Sequence, residues 1–217
     1  NGSENFPKGK RFGFFPSASA GWVISKESFW KSNVITNLKL RGSYGQVGND
    51  QIGGGRFLFL TTINQNGLQY PFGDNQQYLS GFDESKIGNP DVTWEIATKS
   101  NIGMDMELFS GKVTLQVDAF NEDRKGILMQ LGSIPLISGI SQNVIPFANI
   151  GKVHNQGIDA LLELKNTTAS GWYYSFRSNF TYAKNRIIRD NTPDQLYPYQ
   201  DPHLQGVSID QPFGLIA

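Results

Sequence analysis

Cysteine is absent from all 217 residues. That removes disulfide staples, thiolate metal sites and cysteine nucleophiles together, and fits an oxidising compartment. Histidine is nearly absent too: His154 has only His203 for company, so no ligand-spaced metal cluster is expected. Neither sign of charge dominates, with 19 Lys and Arg against 19 Asp and Glu. A basic excess for nucleic acid and an acidic tail are therefore both missing. No apolar run approaches the ~18 residues of a membrane-spanning helix. The opening Asn1-Gly2-Ser3-Glu4 is not a signal peptide, and Phe213 to Ala217 reads as a strand beginning, so both ends are expected to continue into further protein. Hydrophobic content is 38%, below the ~45–50% (on a similar count that includes Gly) of ordinary globular chains.

What the chain has instead is sustained alternation. Six segments place apolar residues at every second position, the period of a β-strand. The first, about 11–25, sets Phe12, Phe14, Pro16, Ala18, Ala20, Trp22 and Ile24 on one face. The second, about 36–48, sets Leu38, Leu40 and Tyr44 against Lys39, Arg41 and Ser43. In the third, about 92–108, Trp94, Ile96, Ile102, Met104, Met106 and Leu108 oppose Glu95, Lys99, Asn101, Asp105 and Glu107. The fourth, about 112–130, opposes Val113, Leu115, Val117 and Ala119 to Thr114, Gln116 and Asp118. The fifth, about 151–165, opposes Ile158, Ala160, Leu162 and Leu164 to Asp159 and Glu163. The sixth, about 172–186, opposes Trp172, Tyr174, Phe176, Phe180 and Tyr182 to Ser175, Arg177, Asn179 and Thr181. Soluble strands centre near ~5–6 residues; these are far longer. A polar face carrying both charge signs suits a watery lumen better than a packed core.

The connectors sort by length. Short links fall near 26–35, 109–111 and 166–171, and long ones at 49–91, 131–150 and after 186. In an up-and-down sheet, alternate connectors share one end. Short turns at one end and long loops at the other describe an outer-membrane β-barrel, with the short turns periplasmic and the long loops extracellular. Trp172 and Tyr182 lie ten residues apart on the apolar face, as do Phe12 and Trp22. At ~3.3 Å per residue and ~45° of tilt, that separation climbs roughly 23 Å, close to the ~25 Å between the aromatic girdles of a transmembrane barrel. Six strands are too few to close such a barrel, for which about eight is the bacterial minimum. The expected fold is all-β: one antiparallel segment of about six to seven strands, spanning residues 1–217, from a larger transmembrane barrel.

Four ordered stretches carry a resemblance. They are Phe15-Pro16-Ser17-Ala18-Ser19-Ala20-Gly21-Trp22, then Leu38 to Asn49 (LKLRGSYGQVGN), then Asn89-Pro90-Asp91-Val92-Thr93-Trp94-Glu95 leading to Asn101-Ile102-Gly103-Met104-Asp105, and last Asn149-Ile150-Gly151 continuing to Gly157-Ile158-Asp159. Together they resemble the SusC/RagA family of TonB-dependent outer-membrane transporters, with Val92 and Asp159 standing where Leu and Glu are expected. The resemblance implies a plug and a TonB box outside this stretch, and a SusD-like surface lipoprotein as partner. It also implies import in which loops and lipoprotein capture an oligosaccharide or peptide, TonB pulls, the plug rearranges and the ligand passes inward. The TonB complex would act through the N-terminal region missing here, and outer-membrane lipid would surround the barrel.

The residues offer no better site for chemistry. Glu95, Asp105, Glu107, Asp118, Asp159 and Glu163 include no evident acid/base pair of the glycosidase kind; beside Lys39, Arg41, Lys99 and Arg177 they read as a solvated charge lattice. Gly53-Gly54-Gly55 is followed by no helix, so it is not read as a phosphate cradle. The sequons at Asn166 and Asn179 read as accidental in a bacterial barrel. No enzyme activity, cofactor or metal is expected. Ligand contacts are expected from Tyr70, Phe72, Asn75, Tyr78 and Phe82 in the first long loop, since rings beside amides suit sugars and peptides, and from Arg41, Glu95 and Arg177 on the polar face. Packing on neighbouring loops explains the first set equally well. The second long loop is oily, and Leu136, Ile137, Ile140, Ile145 and Phe147 are the candidates for a partner-binding patch, with folding inward over the lumen as the other option. The rival readings are a passive porin, a soluble carbohydrate-binding β-sandwich and an all-β glycosidase. Strand length and loop sorting oppose both soluble folds; the resemblance alone separates transporter from porin.

Overall fold

The computed structural model describes all residues except 52–54, 66, 68, 75–76, 133–140, 142–143, 192–204 and 210–217. Its strands in chain order are β1 (Ser17–Val23), β2 (Ile35–Asn49), β3 (Thr62–Asn64), β4 (Gln69–Phe72), β5 (Gln77–Ser80), β6 (Asp83–Lys86), β7 (Glu95–Leu108), β8 (Val113–Gln130), β9 (Phe147–Thr167) and β10 (Tyr173–Arg189). A 3-10 turn, Ile24–Lys26, follows β1. Six strands make one antiparallel sheet in the order β1-β2-β7-β8-β9-β10. Every neighbour in that order is a neighbour in sequence among the sheet's strands, so the connection is up-and-down throughout. β9 is 21 residues long and β8 is 18. At ~3.3 Å per residue and ~45° of tilt, β9 rises about 49 Å, roughly twice the height of a membrane's apolar band. Much of the sheet therefore stands clear of that band.

Register carries the alternation from strand to strand. Trp22, Leu40, Met104, Val117, Ala160 and Phe180 form one cross-sheet row, and Leu38, Met106, Leu115 and Leu162 form another beside it. These rows share the apolar face, where Ile102 is 71% and Phe180 62% exposed. Large apolar groups left open across a whole sheet face mark a surface that another apolar phase covers, which for a transmembrane barrel is lipid. Tyr182 stands at one border of this band, and Trp172, in the turn just before β10, stands at the other.

The expected first strand is longer than the real one. Residues 11–16 are not part of β1. Residues 1–13 fold back on themselves, with Ser3 N donating to Arg11 O at 2.9 Å and Gly13 N to Asn1 O at 3.0 Å. Phe12 and Trp22 therefore do not mark the two rims of one strand. Phe15 turns across β2 instead: a Cβ at Gly48 would lie 2.0 Å from its ring, so only glycine admits that approach. The ring joins a buried cluster of Phe6, Leu58, Val92 and Trp94, with Leu128 and Phe147 against it. Trp94, expected on the open apolar face, is 7% exposed and packs on the rings of Phe6 and Phe15.

Polar staples hold this cluster at the long-loop end. Asn149 Nδ2 donates to Thr93 O (2.8 Å) and Gly126 O (2.7 Å), while Thr93 N donates to Asn149 Oδ1 (2.9 Å). Asn89 Nδ2 donates to Phe147 O at 2.8 Å, and Trp94 Nε1 to Lys10 O at 3.2 Å. Two of the recognised sequence motifs thus meet each other. They anchor the start of β7 to the start of β9 and tie down the N-terminal segment.

Candidate functional site: the polar face and the loops above it

The polar face is built from the residues that alternate with the apolar rows. Arg41 on β2 lies opposite Gly103 on β7, which lies opposite Asp118 on β8. Its guanidinium passes over Gly103 to reach Asp118 Oδ2, with Nη2 donating at 2.8 Å. The same nitrogen donates to Asp105 Oδ1 at 3.0 Å, and Nε lies 2.9 Å from Asp105 Oδ2. A Cβ on Gly103 would come within 2.8 Å of the guanidinium carbon and 2.5 Å of the Asp118 carboxylate. Glycine is therefore the residue that lets one cation bridge three strands.

Further along the same face, Lys99 meets Glu122 at 3.3 Å, Arg124 pairs with Glu122, and Arg124 lies 3.5 Å from Glu95. Asn49 Nδ2 also donates to Glu95 Oε2, at 3.5 Å. Toward the short-turn end, Arg177 donates to Glu163 Oε1 at 3.0 Å across β9 and β10. Arg41, Glu95 and Arg177 thus share the polar face but stand in three separate clusters, each engaged with neighbouring strands. Their common property is pairing with an opposite charge on a neighbouring strand, and among the described residues no group of three or more His, Asp or Glu could hold a metal.

The first long loop is not irregular, as a loop read from turn residues alone would be. It folds into two nested two-stranded ribbons, β3 with β6 and β4 with β5. Tyr70 lies opposite Leu79, and Pro71 opposite Tyr78, so alternation sends the two tyrosines to opposite faces of the inner ribbon. Tyr78 is 64% and Phe82 76% exposed, leaving rings available to a ligand. Asn75 lies outside the described residues, as does the side chain of Phe72.

The second long loop differs from expectation at its described end. Ile145 is 6% exposed, and Phe147 is the first residue of β9, packed on the buried cluster. Neither is free to form an exposed patch, because the staples from Asn89 and Asn149 pull this stretch down onto the strand ends. Leu136, Ile137 and Ile140 lie outside the described residues. Sequence reading missed the Asn89–Phe147 and Asn149–Thr93 contacts. Two asparagines recurring just before strand-like runs were the available signal.

Comparisons with known proteins agree with this geometry. The family model described as TonB dependent receptor-like, beta-barrel matches residues 1–213. TonB-dependent receptor P3 of Formosa agariphila is 30% identical over 198 residues, covering 91% of this chain and 19% of that protein. TonB-dependent receptor SusC of Bacteroides thetaiotaomicron is 31% identical over 191 residues, covering 87% and 18%. Among solved structures, that of the RagAB peptide importer in its closed-closed state superposes with a TM-score of 0.71 at 25% identity, covering 86% of this chain and 19% of its own. The chain spans less than a fifth of the length of these relatives. It belongs to the TonB dependent receptor-like β-barrel family, as a segment of the barrel wall.

Proposed function

We propose that residues 1–217 are one part of a single barrel domain in a SusC-like transporter that imports oligosaccharides or peptides across the outer membrane. The observation that carries this reading is the two-faced sheet. One face is open and apolar, fit for lipid. The other is a lattice of paired charges, fit for a hydrated passage. In this reading a SusD-like lipoprotein closes over the long loops, and Tyr70, Tyr78 and Phe82 on the ribbon contact ligand. TonB acts through a region outside this chain, and the wall itself supplies no bond-making step. The SusC and RagAB likenesses support nutrient import, and the description of RagAB as a peptide importer supports peptides as one ligand class.

The test is uptake of labelled oligosaccharides and labelled oligopeptides by cells with and without the full-length protein. Import through a TonB-driven transporter stops when the proton motive force is collapsed or TonB is deleted. Import that continues under both conditions would mean a passive porin.

A further inference from the structure

On the polar face Arg41, Lys99, Arg124 and Arg177 each meet a carboxylate; one part of the other face gathers cations that meet none. Above Tyr182, on the apolar face and toward the long loops, the residues turn basic. Register sets Lys125, Lys152 and Arg189 abreast on β8, β9 and β10. The next row down holds Asp123, His154 and Arg186, and the one below it Asn121, Gln156 and Lys184. Asp123 is the one acid on these three rows, and it already meets His154 at 3.0 Å. Among the described residues, none of Lys125, Lys152, Lys184, Arg186 and Arg189 has an ion-pair partner. Like charges placed directly opposite on a sheet are destabilising, so Lys125 beside Lys152 is an arrangement that calls for an outside anion. A cavity of about 480 Å³ opens here, lined by His154, Gln156, Lys184, Arg186 and Gly206.

Depth identifies the anion. Lys184 and Arg186 follow Tyr182 by two and four residues, placing them roughly 5 Å and 9 Å beyond the girdle. Lys184 falls within the headgroup layer, which adds ~5–8 Å on each side of the hydrocarbon, and Arg186 at its outer edge, with the Lys125, Lys152 and Arg189 row just above it. The long loops mark this end as extracellular. Lysine and arginine bind phosphate through charge-assisted hydrogen bonds, and these side chains point at lipid rather than at the lumen.

We propose that the three rows form a binding site for the phosphate groups of an outer-leaflet glycolipid, an inference that rests on the transporter reading above. The full-length protein, extracted in detergent and delipidated, is titrated with bisphosphorylated lipid A and with its dephosphorylated form. The phosphorylated lipid is expected to bind about tenfold more tightly. The Lys152→Gln/Lys184→Gln/Arg186→Gln variant loses that preference, Lys152→Arg keeps it, and millimolar inorganic phosphate does not displace the lipid. Equal binding of the two lipids, an unaltered preference in the triple variant, or displacement by inorganic phosphate would overturn the proposal, the last in favour of a soluble anion site. Heat-modifiable migration on gels verifies that each variant barrel has folded; should the triple variant fail there, Arg186→Gln alone decides, with a partial loss expected and an unchanged preference contradictory. Absence of the wild-type protein from the outer-membrane fraction would instead sink the membrane reading, before any lipid is added.

Discussion

The two faces of the same strands solve the problem of charge in opposite ways. On the polar face, Arg41, Lys99, Arg124 and Arg177 each lie against a carboxylate on a neighbouring strand. On the opposite face, charge is absent through the rows from Leu108 to Ile102 on β7 and from Val113 to Ala119 on β8. It returns abruptly beyond them, and there it is basic and largely unpaired. In the proposed transporter, a hydrated passage favours paired charges, so that the wall does not trap passing solutes. A lipid-facing band excludes charge altogether. The rim above it can leave cations open because the medium supplies anions. One period-two pattern therefore carries three environments, distinguished by height along the strand as well as by parity.

The largest effect that would break this contrast is a charge in the band. Leu115 and Leu162 are opposite one another at its middle. Leu115→Arg or Leu162→Arg should cost ~2–4 kcal/mol of membrane-folded stability, read as lost assembly into outer membranes, whereas Gln116→Arg on the other face should assemble normally. Next comes crowding at the long-loop end. Gly48→Ala puts a methyl into the Phe15 ring and should cost about 1–3 kcal/mol, the range for overpacking. Its signature is earlier proteolysis of residues 1–15 with the barrel itself intact.

Smaller again is the bridge over Gly103. Arg41 is 34% exposed, which screens its ion pairs, so Arg41→Leu should lower stability by about 1–2 kcal/mol in denaturant titration. Adding Asp118→Asn should recover part of the loss by removing one stranded carboxylate. The smallest effect is on the rim, outside the membrane-spanning rows. Donating a hydrogen bond to Asp123 raises the pKa of His154 above its usual value, against a lowering by burial. A raised histidine pKa means the pair's stabilisation is fully present below about pH 6.5 and fades as pH climbs through the folded value. Asp123→Asn should flatten that dependence in a pH series of unfolding curves; an unchanged slope would show that the pair contributes nothing.

Alternation, strand number and loop sorting were legible in the residues because period two is a local property and a barrel repeats it. What failed to show were the places where tertiary packing overrides the period. Phe12 and Phe14 flank Gly13 as strand residues would, yet the chain folds back there because Phe15 finds the space above Gly48. Trp94 shares parity with Ile96, but it sits one residue ahead of β7 and turns into the cluster of Phe6 and Val92. The burial of Ile145 depends on hydrogen bonds between residues far apart in sequence. The polar-face candidates were placed on the correct face by parity alone, while their division into separate ion-paired clusters needed the register between strands.

The central claim is that facing alternates along β8 and that the lipid band ends near Asn121. This stretch contains no cysteine, so single cysteines placed at each position from 115 to 125 of the full-length protein in lipid vesicles report cleanly. Reaction with a membrane-impermeant maleimide and quenching of an attached fluorophore by brominated lipid are measured at each site. The account predicts quenching without aqueous reaction at 115, 117 and 119, aqueous reaction at 116, 118 and 120, and aqueous reaction at every position from 121 onward. Uniform reactivity along 115–120, or lipid quenching that continues undiminished through 123 and 125, would contradict it.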